Sequence, residues 1–177
     1  LLHQKEIDLK EMQKDLPDVI DTIKHLPKET TGPTKVFYYH GASGLRQLLW
    51  NTLSATTEVV GYGYGDWNKG VGKRFAEKLR DECVQRNRHS RELQNENQHT
   101  KEPFTENTVY LSKHYKLREI PRNVLIINHD TYIYDDVFAF YHYFRGELFG
   151  VEIHNAEIAK TQKQIFEILW KQGKKVG

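Results

Sequence analysis

Apolar residues in the first 26 positions recur with a heptad spacing. From Leu9 onward they are separated by 3, 4, 3, 4 and 3 residues, and charged or amide side chains fill most positions between them. This a/d pattern predicts a coiled-coil helix over residues 1–26, which pairs two chains into a homodimer. The predicted dimerisation residues are Leu9, Met12, Leu16, Val19, Ile23 and Leu26.

A proline interrupts this seam. Pro17 has no N–H to donate and clashes with the preceding turn, so the helix should kink or divide after Leu16. The alternative to dimerisation is an amphipathic helix that packs on its own domain. Residues 27–34, PKETTGPT, have the composition of a linker.

Strand and helix patterns alternate from residue 35 onward. Lys35–His40 and Thr57–Tyr64 read as strands, and between them a helix begins near Gly41. A strand, helix, strand succession implies a parallel pair with the helix crossing one face. Residues 35–173 are therefore predicted to form one α/β domain, a mixed sheet flanked by helices. The first helix has an apolar face made of Leu45, Leu48, Leu49 and Leu53.

A second helix is predicted over residues 70–87, with an apolar inner face. The outer face and the segment after it mix basic and acidic residues, which is typical of a solvated surface. Residues 108–119 are predicted to add an irregular strand. The inner face consists of Val71, Phe75, Leu79 and Cys83, and the basic residues are Lys73, Arg74, Lys78, Arg80, Arg86, Arg88 and Arg91.

Residues 123–143 carry the strongest strand signals in the chain. Val124–Ile127 is one apolar run and Tyr132–Tyr143 is another, with Asp135 and Asp136 marking a turn. The pattern predicts a hairpin in the core of the sheet. A further strand is expected over Glu147–His154. Asn155 should then cap a last helix whose apolar face carries Ile158, Ala159, Ile165, Phe166, Leu169 and Trp170.

The composition limits the classes of protein to which this chain can belong. The chain has 177 residues, a formal net charge of +2 and one cysteine, Cys83, so an internal disulfide is impossible. It contains no run of about 18 apolar residues, and we expect a cytoplasmic protein that does not contact a membrane. The small net charge does not favour nucleic-acid binding by this segment. No metal cluster or phosphate-binding loop is recognisable, and we expect neither a metal nor a cofactor.

One motif within the predicted hairpin carries candidate chemistry. His129, Thr131 and Asp136 form H-x-T-x4-D, which resembles the H-x-K-x4-D signature of the phospholipase D superfamily. The resemblance implies a histidine nucleophile, a lysine that neutralises phosphoryl oxygens and an orienting aspartate. Threonine replaces that lysine here, and losing one such contact costs about 10²- to 10³-fold in rate. We therefore expect a protein that is not an enzyme.

Three interpretations of His129 remain open. It could be a structural histidine at a strand end, a ligand contact inherited from an ancestral phosphate pocket, or the nucleophile of a working phosphodiesterase. A second H-x-K occurs at His114 and Lys116, but Pro121 stands where its aspartate would be. Neither copy of the motif is complete.

The glycines of the second strand suggest a ligand pocket. Gly61, Gly63 and Gly65 either relieve crowding in a twisted strand or let a ligand approach the backbone. Asp66 and Trp67 follow directly, and a carboxylate beside an indole suits a polar ring, although a tryptophan over the core is the simpler interpretation. The predicted ligand-binding residues are His40, Tyr62, Tyr64, Asp66, His129, Thr131 and Asp136.

The order of the elements resembles a known regulator family. Together with KVFYYHGASGLRQLL, INHDTYIYDDVFAF and ELFGVEIHNAEIAKTQKQIFEILW, it resembles the phospholipase D-like effector domain of TrmB-type transcriptional regulators. The resemblance implies a catalytically inactive fold used for sensing a small-molecule effector. It also implies that DNA is bound by a winged helix preceding residue 1. The chain begins with Leu1 rather than methionine, which suggests a fragment of a longer protein.

Two other functions are compatible with the sequence. The chain could be a phosphodiesterase or nuclease assembled across a dimer, with a lysine such as Lys116 supplied from elsewhere. It could also be a dimerisation module without a ligand.

Overall fold

The computed structural model describes residues 34–65, 67–96, 104–144 and 147–176. The predicted helix over 1–26, its dimerisation seam and nearly all of the linker lie outside these ranges. The described residues form an α/β structure with an eight-stranded mixed sheet. The predicted fold class, a mixed sheet flanked by helices, is confirmed for this part of the chain. No helix within it is both long and apolar enough to cross a membrane.

Four α-helices and eight strands make up the described structure. A short 3₁₀ turn, Thr52–Ser54, follows the first helix, and a π-helical turn, Tyr110–His114, precedes the fourth strand. The helices are α1 Gly41–Asn51, α2 Trp67–Val71, α3 Lys73–Gln85 and α4 Ala156–Gln172. The strands are β1 Lys35–His40, β2 Val59–Gly63, β3 Ser90–Asn95, β4 Tyr115–Ile120, β5 Asp130–Tyr134, β6 Val137–Phe144, β7 Glu147–His154 and β8 Lys174–Lys175.

The sheet joins an antiparallel half to a parallel half. Its strand order is β1-β7-β6-β5-β2-β3-β4-β8. β2 pairs with β3 and β3 with β4 in parallel, whereas β2 meets β5 in an antiparallel bridge between Val60 and Ile133. The predicted parallel pairing of β1 with β2 is wrong, because β7, β6 and β5 lie between them. A strand, helix, strand succession constrains strand direction but not which strands are inserted later in the chain.

Helices cover both faces of the sheet. On one face, Ala159, Phe166 and Trp170 of α4 pack on a core that includes Val60 and Ile133. On the other face, α1, α2 and α3 pack on the sheet with a core that contains the predicted Leu45, Leu49, Leu53, Val71 and Leu79. Because both faces of the central strands are buried, their sequences lack a simple alternation of apolar and polar residues.

The last helix begins at the predicted cap. The side chain of Asn155 accepts hydrogen bonds from the backbone N–H groups of Glu157 (3.1 Å) and Ile158 (3.0 Å). The predicted apolar face is only partly buried, since Ile158 is 37% and Ile165 is 42% exposed. The burial of Ala159, Phe166 and Trp170 fixes which side of α4 faces the sheet.

The predicted helix over 70–87 is divided, and part of its basic surface is buried. Gly72, with φ of 87°, separates α2 from α3 in a conformation that only glycine adopts easily. Arg80 is 2% exposed and donates to the side chains of Glu77 and Asn68, both at 2.9 Å. Arg91 is partly buried against two carboxylates. The prediction of a solvated face is therefore wrong for these two arginines, because acidic partners compensate their burial.

Val124–Ile127 does not form the predicted strand. The carbonyl oxygen of Pro121 accepts hydrogen bonds from Val124 N (3.0 Å) and Leu125 N (3.2 Å), which makes a turn. The buried amide of Asn95 then takes the place of a neighbouring strand: it donates to Leu125 O (2.7 Å) and accepts from Ile127 N (2.9 Å). The segment thus satisfies its backbone groups without a ladder.

We expect Asn95→Ala to destabilise the protein by about 3 kcal/mol. The substitution removes the side-chain partner of Leu125 O and of Ile127 N–H, and each buried unpaired group costs about 1–3 kcal/mol. Urea denaturation measures the change. Asn123→Ala, an exposed substitution in the same loop, should change stability by no more than about 0.5 kcal/mol. Equal effects of the two variants would contradict the role of Asn95.

Candidate functional site

The β5–β6 hairpin fixes the geometry of the candidate site. The predicted turn at Asp135 and Asp136 is present, and the ladder runs from Tyr134 opposite Val137 to Asp130 opposite Tyr141. Asp135 has φ of 43°. Continuing this register by one residue sets His129 opposite His142. A two-residue turn therefore brings two histidines together at the other end of the hairpin.

These two histidines belong to a row that crosses the sheet. His142 lies opposite Phe149 of β7, which lies opposite His40 of β1. We call His40, His142 and His129 the histidine row. Aromatic rings flank it: the ring of Phe140 lies 5.7 Å from His129, and that of Phe149 lies 6.1 Å from His142.

The His129 ring is held in a neutral, oriented state. Burial lowers the pKa of His129, and the nearby His142 lowers it further. Its Nδ1 lies 2.7 Å from the amide oxygen of Asn128. Because that oxygen can only accept, Nδ1 carries the proton and Nε2 is the basic nitrogen. Such an imidazole can act as a nucleophile, or can bind a phosphate oxygen once it is protonated.

Thr131 occupies a buried, uncharged position. It is 2% exposed, and its Oγ1 forms no hydrogen bond to any residue that the structure describes. It shares a face of β5 with His129, since the two residues are two positions apart along a strand. The position that a lysine holds in H-x-K-x4-D thus contributes no charge here.

The other predicted ligand-binding residues are dispersed. Tyr64 is 46% exposed, and its N–H donates to Asp130 Oδ1 (3.2 Å), next to His129. Tyr62 packs in the core with its ring 5.9 Å from Phe166, and burial raises its pKa to about 12. His40 is exposed on β1, roughly 14 Å from β5 by strand spacing. Asp66 lies outside the described residues.

Asp136 is not brought to His129. It is exposed in the turn, where its backbone oxygen accepts from Asn155 N (2.8 Å). The five residues of β5, roughly 16 Å, separate it from the histidine. Its neighbour Asp135 is the residue that anchors the turn.

The sequence analysis missed His142. A signal for it was present in the sequence, because a two-residue turn at 135–136 pairs residue 134 with residue 137, and each step away from the turn pairs the next two residues. Counting outward from the turn leads to positions 129 and 142.

A cluster of carboxyl and phenol groups lies on the opposite face of the same strands. Asp130 is 4% exposed, and burial raises its pKa well above the usual range, as does the charge of Glu92. Hydrogen bonds from Tyr64 N–H and the Tyr141 hydroxyl oppose that shift. Burial also raises the pKa of Glu92, which Tyr115 hydrogen bonds. We call Asp130, Glu92, Tyr115, Tyr132 and Tyr141 the carboxyl–tyrosine cluster.

This cluster explains the glycines of β2. A Cβ added at Gly63 would collide with the carboxylate of Glu92, and one at Gly61 would collide with the carbonyl of Thr131. Gly61 and Gly63 therefore relieve crowding, which was one of the two interpretations of the glycines, and protein atoms fill the space beside them. A Cβ added at Gly65 would meet no atom within 4 Å.

The second H-x-K does not supply a lysine to His129 within one chain. His114 is buried, with Nδ1 2.9 Å from Arg88 O. Lys116 is exposed on β4, and β2 and β3 separate that strand from β5.

Comparison with known proteins establishes the fold alone. No protein-family model matches the chain, and no curated protein sequence is significantly similar to it. Nuc, a phospholipase D family member from Salmonella typhimurium, matches 81% of this chain and 98% of its own with a TM-score of 0.61 and 18% identity. NucT from Helicobacter pylori matches 81% of this chain and 99% of its own with a TM-score of 0.61 and 12% identity.

A third similar structure is that of TrmBL2, an archaeal chromatin protein that binds DNA. It matches 98% of this chain with a TM-score of 0.56 and 16% identity. The present chain spans 66% of the TrmBL2 chain, less than two thirds of its length.

The expectation that the protein is not an enzyme is contradicted. It rested on threonine at position 131, but the chain shares its fold with Nuc, a phospholipase D family member. The absence of one lysine does not exclude catalysis in such a fold, and phosphodiesterase activity therefore has to be assayed. The described part of the chain has a phospholipase D-like fold.

We expect Asp130→Asn to alter how stability depends on pH. The raised pKa keeps the carboxyl protonated in the folded state after it has ionised in the unfolded chain, near pH 4. The free energy of unfolding therefore falls as pH rises from about 4, and asparagine removes that contribution. Urea denaturation at pH 4 and pH 7 should show the stability of Asp130→Asn increasing relative to the parent. Glu92→Gln should act in the same direction, and a pH-independent difference for both would contradict the assignment.

Proposed function

We propose that this chain is the sensing and dimerisation domain of a TrmB-like DNA-binding regulator. Its effector is a small phosphate-bearing molecule that binds at His129 and His142. DNA is bound by a winged helix outside this chain, and a cytoplasmic location is part of the proposal. Binding an effector in this way requires no cofactor, and none is part of the proposal.

The extent of the structural match supports the regulator. TrmBL2, which binds DNA, matches 98% of this chain, whereas Nuc and NucT each match 81%. The DNA-binding chromatin protein thus matches a longer part of the chain than the other two. This observation agrees with the resemblance of KVFYYHGASGLRQLL and the last helix to TrmB-type effector domains.

The geometry around His129 supports a phosphate-bearing ligand. His129 and His142 face each other across the β5–β6 ladder, and each becomes a cation when it takes up a proton. Burial and, to a smaller extent, the nearby His142 lower the pKa of His129, and an anion between the two rings would offset their repulsion once they are protonated. Phe140 and Phe149 provide an apolar wall beside the two rings.

The mechanism is a coupling between two sites. Ligand binding at the end of β5 would change the packing of two protomers, and the seam from Leu9 to Leu26 would relay this change to the DNA-binding domains. A coupling free energy of about 1–3 kcal/mol alters DNA affinity by roughly 5- to 150-fold.

A phosphodiesterase assembled from two chains is the second candidate. The observation that favours it is the state of His129, whose Nε2 is unprotonated as a nucleophile requires. In this candidate, a second chain supplies the cation that neutralises the phosphoryl oxygens. The match to Nuc supports this candidate as well.

We expect His129→Ala and His142→Ala each to weaken effector binding at least tenfold. Each substitution removes one of the two ring contacts to the anion. A thermal-shift screen of phosphorylated metabolites identifies a stabilising ligand, and isothermal titration measures its affinity for each variant. His89→Ala, an exposed histidine just before β3, is the matched control. If both variants bound the ligand as tightly as the parent chain, the proposed site would be wrong.

A hydrolysis assay separates the two candidate functions. Bis(p-nitrophenyl) phosphate and plasmid DNA are incubated with the parent chain and with His129→Ala. Turnover that His129→Ala abolishes would make the phosphodiesterase the function of this site. Ligand-dependent DNA affinity in a protein carrying the winged helix is the result expected for the regulator.

A further inference from the structure

An open cleft lies at the outer edge of β4, at the end of the sheet opposite to His129. Its volume is about 1040 Å³, and residues from both faces of the sheet contribute to its wall. Those that matter here are Tyr115, Lys116, Leu117, Arg118, Trp170 and Lys175. Clefts of about 300–1,000 Å³ accommodate ligands of nucleotide size.

The short strand β8 leaves this edge uncovered. β8 pairs only with Arg118 and Glu119, so Tyr115–Leu117 has no strand partner on its outer side within the described ranges. Backbone donors and acceptors of β4 therefore line the cleft beside the side chains. They provide hydrogen-bonding groups on a rigid element.

The charges in the wall do not cancel. Arg91 also lines the cleft, but Glu58 (2.5 Å) and Glu167 (2.5 Å) neutralise it. Lys116, Arg118 and Lys175 form no salt bridge with a carboxylate in the part of the chain that the structure describes. Three cations therefore surround one cleft without a described counter-ion, which favours an anionic ligand.

Planar groups define the floor of the cleft. The guanidinium of Arg118 lies 4.6 Å from the ring centre of Trp170 and donates to Trp170 O at 2.6 Å. The indole in turn stacks on Phe166 at 5.6 Å. Arg118 is thus held flat by contacts within the protein, and a flat guanidinium can stack on a ring. Leu117 adds apolar surface.

We propose that this cleft binds a small organic anion that carries a planar ring. The anionic group is held by Lys116 and Lys175, and the ring packs against Arg118. The site is separate from the histidine row and does not depend on the function proposed above. Nucleoside phosphates and aromatic carboxylates share this chemistry.

Isothermal titration of the whole chain tests the proposal. AMP and indole-3-acetate serve as ring-bearing anions, adenosine supplies a ring without charge, and inorganic phosphate supplies charge without a ring. The variants are Lys116→Gln combined with Lys175→Gln, and Lys160→Gln as a control with an exposed lysine at the start of α4.

We expect at least one ring-bearing anion to bind with a Kd below about 1 mM. The double substitution should weaken that binding at least tenfold, whereas Lys160→Gln should leave it within twofold. Adenosine and phosphate should each bind at least tenfold more weakly. Binding by neither anion, equal binding by inorganic phosphate, or binding that the double substitution leaves unchanged would overturn the proposal.

Discussion

Asp135 accepts four hydrogen bonds from the backbone and hydroxyl groups of Thr56 and Thr57, at 2.8–3.0 Å. These bonds tie the turn between β5 and β6 to the residues that lead into β2. The β2–β5 junction is where the antiparallel half of the sheet meets the parallel half, and its register rests on one bridge, Val60 to Ile133. At the other end of the junction, Asp130 accepts from Tyr64 N–H. Two aspartates thus fasten the junction at both ends.

The position of the candidate site follows from this junction. Asp130 accepts from Tyr64 N–H, and the preceding residue, His129, points to the other face. Continuing the β5–β6 register by one residue places His129 opposite His142. The carboxyl–tyrosine cluster holds this arrangement, and it carries a cost, since burying Asp130 and Glu92 raises the pKa of both. Gly63 leaves room for the Glu92 carboxylate of the cluster, and Gly61 leaves room for the backbone carbonyl of Thr131 in β5. The site and its support are therefore on opposite faces of the same strands.

Local signals in the sequence predicted most elements but not their neighbours. Four features were predicted correctly because each depends on side chains that are close in sequence. They are the strand over residues 35–40, the hairpin turn, β7 and the Asn155 cap. The strand expected over 124–127 was wrong because the buried amide of Asn95, some thirty residues away, satisfies that segment without a ladder. Arg80 looked solvated because, besides Glu77 of its own helix, it contacts Asn68 and Phe104, which lie outside that helix. Long-range polar contacts leave no periodic trace in a sequence.

The candidate site was partly predictable. His129 and Thr131 were found from a spacing, and His142 could have been found by counting from the turn. The central claim is that His129 and His142 form one site for a phosphate group, and NMR titration of the histidine rings tests it most directly. We expect His129 to titrate below its ordinary pKa of about 6.5 and to gain basicity when a phosphate-bearing ligand binds. An ordinary pKa for His129, with neither ring responding to the ligand, would contradict it.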